Sequence, residues 1–409
     1  MPGPLSHIRV LDLSRVLAGP WAGQNLADLG AEVIKVERPK TGDDSRAYGP
    51  PWMKDASGKE TSEAAYFMAA NRGKKSITVN LSNPDGQRLV RELAAKCDVL
   101  IENYKVGDLA RYGLGYQDLA KANPGLVYCS VTGFGQTGPY KEKPGYDFMA
   151  QGMAGLMSLT GHPDGEPGGG PMRVGVPVID IFTGMYATIA INAALAHRAV
   201  TGLGQHLDVA LFDSCLALLA NQAMTYLSTG ESPQRIGNTH PSIVPYQVFP
   251  TSDSSMILAC GNDNLFAKFC AVANREDLSQ DDRYAKNVNR VKHRTTLVPI
   301  LEDIFRQRRT EDWVQALESA GVPCGPINSV AQAFASPQVK ARGMQINLPH
   351  PLAGQVPLMG SPMKFSGTPI EHELPPPVLG QHTDEILEKL LGLDAQGRDQ
   401  LRATGAMSA

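Results

Sequence analysis

The feature that most constrains the fold is an alternation of strands and helices at the start of the sequence. Residues 8–14 and 31–37 are short segments rich in Val, Ile and Leu, which is typical of buried strands. A helical segment at residues 24–29 lies between them, and Gly30 ends it. The GPWAG segment at residues 19–23 predicts a turn before this helix. Such a unit places its two strands side by side and parallel, joined by a right-handed crossover.

The same alternation continues along the chain. Further strands are predicted at residues 75–81, 98–103 and 126–132, and a helix at residues 83–96 lies between the first two of them. This order predicts an α/β fold with a doubly wound, Rossmann-like parallel sheet.

The character of the sequence changes after about residue 145, which predicts more than one domain. We predict a large domain whose N-terminal part is residues 1–225 and a smaller α/β domain at residues 226–328. The C-terminal segment, residues 329–409, is rich in proline and glycine at first and is predicted to return to the large domain.

Composition narrows the possible functions. Of 409 residues, 42% are hydrophobic and 19% are charged, which is enough for a large core. The net charge of −3 and the absence of a Lys/Arg-rich run oppose nucleic-acid binding. Six cysteines are scattered without a CxxC or a Cys/His cluster, which predicts reduced thiols, a cytoplasmic location and no metal site. No signal or transit peptide is expected, because the first strand begins within ten residues of Met1.

Residues 174–196 form an apolar stretch in which Asp180 is the only charged residue. The stretch is long enough to raise the question of a membrane span. Pro177, Thr183 and Asn192 favour a buried core helix instead, so no membrane partner is expected.

A carboxylate in such a setting loses hydration, which costs several kcal/mol unless donors or a cation compensate. Two interpretations of Asp180 are open from the residues alone. It can cap the helix that begins here, since aspartate is a preferred N-cap. It can also be a catalytic group, because perturbed carboxylates cluster at functional sites.

Ligands of an open α/β sheet bind beyond the carboxyl ends of its strands. Those ends carry residues 16–20, Arg38, residues 80–82 and residues 103–105. No GxGxxG follows the first strand, which disfavours a nicotinamide cofactor, and no Walker A sequence is present. Arg38 suits bidentate contact with a phosphate.

Several ordered blocks along nearly the whole chain resemble the class III CoA-transferases, the family of formyl-CoA and carnitine CoA-transferases. They are VLDLSRVLAGP (10–20), LGAEVIKVERP (29–39), NRGKKS (71–76), ENY (102–104), TGFGQTGP (132–139), GYD (145–147) and GLGQ (202–205). The family's catalytic carboxylate opens a helix in a short Asp-x-x-[Thr/Ser/Gly]-Gly motif, and DIFTG at residues 180–184 occupies that place.

The resemblance implies that Asp180 is the nucleophile and that CoA is a substrate, with no further cofactor and no metal. It implies CoA contacts at Leu17, Ala18, Arg38, Val79, Leu81, Ser82, Asn103, Tyr104, Lys105, Arg111, Tyr146 and Asp147, the last two near the thioester. It also implies an intertwined homodimer.

Three further stretches resemble the succinate–hydroxymethylglutarate (glutarate) branch of the family, whose members move CoA between dicarboxylic acids. They are residues 237–247, 322–328 and 375–383. Leu17 stands where formyl-CoA transferase has glutamine, which disfavours oxalate and formate as substrates. A dicarboxylate also needs a cation for its distal carboxylate. The candidates are Arg15, Arg46, Arg72, Arg173, Arg235 and His240.

Two other functions remain possible for such a chain. An α-methylacyl-CoA racemase of the same fold uses a Gly-His-Asp motif, where this chain has Tyr146, and tyrosine is a poor base at neutral pH. A non-catalytic acyl-CoA-binding protein would tolerate the loss of the Asp180 carboxylate.

Overall fold

The structure is a computed structural model that describes residues 2–408. The chain forms two compact units. The larger one contains the residues up to Leu156, Val174–Ser228 and the residues from Gln338 onward, and the smaller one contains Met157–Arg173 and Thr229–Pro337. The sequence prediction had placed residues 157–173 in the large domain, whereas the structure groups them with the smaller unit.

The strands and helices are numbered in chain order. The strands are β1 (Arg9–Asp12), β2 (Glu32–Glu37), β3 (Trp52–Lys54), β4 (Glu60–Ala64), β5 (Lys74–Thr78), β6 (Val99–Glu102), β7 (Val127–Thr132), β8 (His206–Ala210), β9 (Tyr246–Pro250), β10 (Ser255–Ala259), β11 (Cys324–Pro326), β12 (Gln345–His350) and β13 (Gly354–Met359). The helices are α1 (Ala18–Asp28), α2 (Ala65–Met68), α3 (Pro84–Ala94), α4 (Tyr116–Ala122), α5 (Asp147–Met153), α6 (Leu156–Leu159), α7 (Val178–Thr201), α8 (Leu211–Leu218), α9 (Ala220–Thr229), α10 (Asp263–Val272), α11 (Glu276–Gln280), α12 (Asn287–Lys292), α13 (Arg294–Phe305), α14 (Thr310–Ser319), α15 (Val330–Ala335), α16 (Pro337–Ala341), α17 (Thr383–Leu391) and α18 (Ala395–Ala403).

The larger unit is built on a parallel sheet of six strands in the order β5-β2-β1-β6-β7-β8. The chain first extends from β1 toward β5 and then returns to add β6, β7 and β8 on the other side of β1. The strand order therefore reverses between β1 and β6, and a crevice opens beyond the carboxyl ends of these two strands. The predicted fold class is confirmed.

Alternate residues of the strands pack into separate cores on the two faces of the sheet. Leu11, Ile34 and Leu100 lie in the core covered by α3, α4, α17 and α18. Val10, Val33 and Val99 lie in the core covered by α1, α5, α7 and α8. Because both faces are covered, the central strands carry apolar residues on both faces, which is why they were recognisable in the sequence.

Helix α7 is long and apolar enough to cross a membrane by length and composition alone. In the structure it packs into the larger unit, where Ile179, Ala187 and Ile191 are buried. This packing accounts for part of the apolar composition of residues 174–196, since other apolar side chains of α7, such as Ile189, are exposed.

The turn predicted at residues 19–23 is wrong, because α1 already begins at Ala18. Pro20 lies in the first turn of the helix, where its missing N–H needs no partner. Gly23 lies where α1 passes over a buried ion pair, so it serves close packing and not a turn.

In the smaller unit, β9, β10 and β11 form an antiparallel sheet in the order β11-β10-β9. Helices α10, α13 and α14 contribute to its core, in which the rings of Phe249 and Phe305 stack at 4.7 Å and Trp313 lies 4.9 Å from Phe305.

We expect Gly23→Ala to destabilise the larger unit by about 1–3 kcal/mol. An added Cβ would lie 2.7 Å from Oδ2 of Asp12 and 3.2 Å from Nζ of Lys74, and these two buried side chains are paired. The clash outweighs the roughly 0.5–1 kcal/mol by which alanine favours a helix over glycine. In the control, Gly367→Ala, no atom lies within 4 Å of the new Cβ. Urea unfolding measures the difference, and wild-type stability of Gly23→Ala would contradict the argument.

Candidate active site

A cavity of about 850 Å³ opens at the carboxyl ends of β1 and β6, where the strand order reverses. The loop after β1, the turn after β6, the 141–146 segment and the start of α7 form its wall. It brings together eight of the predicted site residues. They are Leu17, Ala18, Arg38, Asn103, Tyr104, Lys105, Tyr146 and Asp180.

A second cavity of about 810 Å³ lies beyond the ends of β2 and β5 and contains the predicted residues Val79, Leu81 and Ser82. Arg38 and Tyr104 line both cavities. The predicted CoA contacts therefore form two groups that share a wall, as an elongated ligand would require.

Two of the predicted CoA contacts line neither cavity. The Arg111 side chain is 69% exposed and pairs with Asp108. Asp147 is buried at the start of α5, behind the wall that Tyr146 forms. Sequence alone could not separate Asp147 from Tyr146, because neighbouring residues at a helix start point in different directions.

The loop after β1 carries local backbone strain. Val16 has a φ of 71°, which costs a β-branched residue roughly 1–3 kcal/mol. Oδ1 of Asp43 accepts the N–H of Val16 at 3.0 Å. The Asn103 side chain accepts the N–H of Arg15 at 2.9 Å and donates to the Arg15 carbonyl at 2.7 Å. These bonds hold the loop in the conformation that turns Leu17 and Ala18 to the cavity.

Two buried ion pairs lie beneath this loop. Lys35 contacts Oδ2 of Asp43 at 2.7 Å and donates to the Ser14 carbonyl at 2.9 Å. Lys74 donates to Oδ2 of Asp12 at 2.9 Å. Burial alone would raise the pKa of Asp43, but the Lys35 ammonium outweighs it and holds the pKa well below its usual range. Burial lowers the pKa of Lys74 to about 8, although Asp12 opposes this effect.

Glu102 shapes the turn on the other side of the cavity. This buried carboxyl group, at the end of β6, accepts the N–H of Tyr104 at 2.8 Å. Burial raises the pKa of Glu102 to about 7. The group therefore positions Asn103 and Tyr104 from within the sheet.

Asp180 is the third residue of α7, and its half-buried side chain lies in the wall of the first cavity. Burial, followed by the nearby charge of Asp147, raises the pKa of Asp180 to about 7. The N-cap interpretation is wrong, because Pro177 precedes the helix and Asp180 lies inside its first turn.

Asp147, and not Asp180, caps helix α7. Its Oδ1 accepts the N–H of Ile179 at 2.8 Å and that of Asp180 at 3.3 Å. Gln151 donates to its Oδ2 at 2.6 Å. The free N–H groups at the start of α7 are thus bound by a residue 33 positions earlier in the chain.

Sequence reasoning missed two tyrosines near Asp180. The rings of Tyr48 and Tyr66 meet edge to face at 5.3 Å. Burial, followed by the charge of Asp180, raises the pKa of Tyr66 to about 12. Tyr48 lines the first cavity. No motif in the sequence distinguishes these tyrosines from others.

The structure also sorts the candidate cations for a distal carboxylate. Arg46 is paired with Glu37, and Arg72 with Asp28, in the interior. Arg173, Arg235 and His240 belong to the smaller unit. Of the candidates, Arg15 alone lines the first cavity.

Among residues 2–408, no group of three or more His, Cys, Asp or Glu could hold a metal ion.

Comparison with known proteins gives the family. Residues 5–383 match the family described as CoA-transferase family III. The chain is 50% identical to the succinate–glutarate CoA-transferase of Agrobacterium fabrum over 387 residues, which cover 95% of this chain and 96% of that protein. It is 42% identical to succinyl-CoA:glutarate CoA-transferase of Homo sapiens over 404 residues, 99% of this chain and 90% of that protein.

The fold has a matching crystal structure, that of a CaiB/BaiF family protein from Brucella suis. The TM-score is 0.83 at 49% identity, with 95% of this chain and 100% of that chain covered. The chain therefore belongs to CoA-transferase family III. It is an enzyme of CoA transfer, whose substrates are an acyl-CoA and a carboxylic acid.

We expect the stability of Asp180→Asn relative to wild type to grow with pH. The pKa of Asp180 is about 7 in the folded protein against an ordinary value of 3.8. Its contribution to stability is thus complete below about pH 4 and is lost as pH rises through 7. The neutral asparagine avoids this loss, so the variant should gain roughly 2 kcal/mol over wild type at pH 8. This is about half of what the full difference in pKa implies, because the side chain retains contact with solvent. Thermal unfolding of both proteins between pH 4.5 and pH 8 measures the difference in stability. A difference that does not change with pH would contradict this expectation.

Proposed function

We propose that this enzyme moves CoA from succinyl-CoA to glutarate through a covalent intermediate on Asp180. The names of the two curated relatives support this pair of acids. The observation that carries the chemical proposal is the position of Asp180. Its carboxyl group lies in the wall of the cavity that collects the predicted CoA contacts of β1, β2 and β6.

The first half-reaction loads CoA onto the enzyme. The Asp180 carboxylate attacks the thioester carbonyl of succinyl-CoA, which gives a mixed anhydride and releases CoA thiolate. The thiolate then attacks the aspartyl carbonyl of the anhydride. This step forms an Asp180–CoA thioester and releases succinate.

The second half-reaction returns CoA to the acceptor. A glutarate carboxylate attacks the Asp180–CoA thioester, giving a new mixed anhydride and CoA thiolate. The thiolate attacks the glutaryl carbonyl, which yields glutaryl-CoA and regenerates the Asp180 carboxylate. Each step exchanges one acyl bond for another, and the whole cycle exchanges one thioester for another, so no further cofactor is needed.

The surroundings of Asp180 suit this role. Burial weakens the hydration of its carboxylate, which makes the ionised form a better nucleophile. The pKa of about 7 leaves a substantial ionised fraction at neutral pH. Arg38, Lys105, Lys141 and Lys143 line the same cavity, and we propose that they attract the phosphates of CoA.

The racemase alternative needs a second base opposite Asp180. No histidine of the described residues lines either cavity, and Tyr146 stands exposed at the expected place. This arrangement favours transfer of CoA over proton exchange at the α-carbon.

We propose that the enzyme is an intertwined homodimer in the cytoplasm. Large apolar side chains are more than half exposed on α5, α7 and α9, among them Phe148, Ile189 and Leu227. Exposed large apolar side chains on three helices are what a surface covered by a second chain would show. The six cysteines carry free thiols, as in a reducing compartment.

For the homodimer, light scattering should give a mass of about twice 43.9 kDa, and a mass of 43.9 kDa would contradict the dimer.

The reaction can be tested by incubating the enzyme with succinyl-CoA and a panel of acids, and following new acyl-CoA species by mass spectrometry. We expect glutaryl-CoA from the wild type and a loss of at least about 10³-fold in Asp180→Asn, because the amide cannot act as the nucleophile. The wild-type rate should rise with pH and level off above about 7, as the Asp180 carboxyl ionises.

Asp85→Asn, a change of the same chemistry on the exposed face of α3, is the matched control. Incubation with succinyl-CoA alone, followed by hydroxylamine, should convert the Asp180 thioester to a hydroxamate on that residue. Transfer by Asp180→Asn at the wild-type rate would refute the nucleophile. Transfer to other acids but not to glutarate would refute the acceptor.

A further inference from the structure

Two arginines at the junction of the two cavities share one carboxylate. Nη1 of Arg15 donates to Oδ2 of Asp44 at 2.9 Å, and Nη2 of Arg38 contacts the other oxygen, Oδ1. Both arginines line both cavities, and Asp44 lines the first. A carboxylate that bridges two guanidinium groups puts its oxygens where a bound carboxylate or phosphate would put its own.

The Arg15 side of this cluster is held in place. The Asn103 side chain binds the Arg15 backbone on both sides, and the Arg15 guanidinium lies 5.0 Å from the centroid of the Tyr104 ring. Nε of Arg15 is buried and has no hydrogen-bond partner within residues 2–408. The position of Arg15, which lines both cavities, is therefore fixed by its backbone and by the neighbouring ring.

Within the cluster of Arg15, Arg38 and Asp44, the Asp44 side chain is the one that a ligand displaces most easily. Its side chain is 38% exposed and that of Arg38 is 46% exposed, and ion pairs in such positions are weak. The neighbouring residue, Asp43, is buried and caps the turn by accepting the N–H of Ser45 at 2.9 Å. The backbone of the turn thus stays fixed while the Asp44 side chain is free to rotate away.

The cluster lies near the reacting group. Arg15, Asp44, Tyr48 and Asp180 line the same cavity. A substrate that reaches Asp180 in this cavity therefore has Arg15 and Asp44 within the same wall.

We infer that Arg15 and Arg38 form an anion subsite for the substrates and that Asp44 occupies it until a substrate oxyanion displaces its carboxylate. The inference rests on the proposed function, which supplies two such oxyanions. One is a phosphate of CoA, and the other is the distal carboxylate of a dicarboxylic acid. Asp44 offsets the repulsion between the two cations and keeps them oriented in the free enzyme, and it competes with weakly binding monoanions.

The test is Asp44→Asn, which preserves the size of the side chain and removes its charge. We expect the anion that occupies the subsite to bind to this variant on the order of 3- to 10-fold more tightly than to wild type, since no carboxylate has to be displaced. Calorimetry measures the Kd of CoA and of 3′-dephospho-CoA. Steady-state kinetics compares the KM of glutarate with that of pentanoate, which has the same chain length and lacks the distal carboxylate.

The experiment distinguishes the two anions that could occupy the subsite, a phosphate of CoA and the distal carboxylate of the acid. A lower Kd for CoA with an unchanged KM for glutarate identifies a phosphate, and 3′-dephospho-CoA then tells the 3′-phosphate from the diphosphate. A lower KM for glutarate, with that of pentanoate unchanged, identifies the distal carboxylate. Arg15→Gln should weaken the same ligand by about 10-fold or more, as expected for the loss of a charge-assisted contact.

Asp277→Asn removes a carboxylate from an exposed Arg275 pair outside both cavities and should change none of these values. Equal or weaker binding of every ligand by Asp44→Asn would overturn the subsite, even if the wild type transfers CoA normally. Failure of the wild type to transfer CoA, with CoA binding tightened in Asp44→Asn, would instead refute the proposed function and leave the subsite standing.

Discussion

The site depends on two buried ion pairs next to the sheet, Lys35 with Asp43 and Lys74 with Asp12. The Lys74 pair ties β5 to β1, and Lys35 of β2 binds both Asp43 in the following turn and the Ser14 carbonyl after β1. Removing one partner would leave an uncompensated buried charge, which costs about 3–5 kcal/mol. Asp43 also accepts the N–H of Val16, so the carboxylate that pairs with Lys35 helps to hold the cavity loop in its strained conformation.

A rigid frame of this kind allows unfavourable features to persist where chemistry needs them. Val16 keeps a left-handed backbone, and the pKa of Asp180 stays near 7. Asp147 binds the first N–H groups of α7, so Asp180 is not needed as a cap and can face the cavity. The stability that is lost as pH rises from about 4 to 7 is the cost of keeping a poorly hydrated carboxylate at that place.

The positions of the predicted site residues divide by physical cause. Those at strand ends, such as Arg38, Asn103 and Val79, reach a cavity because a parallel sheet brings its carboxyl ends to one edge. Arg111, which follows a later loop, does not reach the lining of either cavity. Asp44 and Tyr66 were missed, since an acidic residue in a turn and a tyrosine in a short helix carry no recognisable pattern of their own.

The sequence by itself determined the parallel α/β sheet, the apolar helix that carries Asp180 and the family resemblance. These follow from the periodicity of apolar residues and from ordered motifs, both of which are local. Only the tertiary structure decided that residues 19–23 are helical, that Asp147 and not Asp180 caps α7, and that Asp44 bridges Arg15 and Arg38. The capping of α7 and the bridge at Asp44 join groups from separate segments of the chain, and packing of the whole sheet decides that these groups meet.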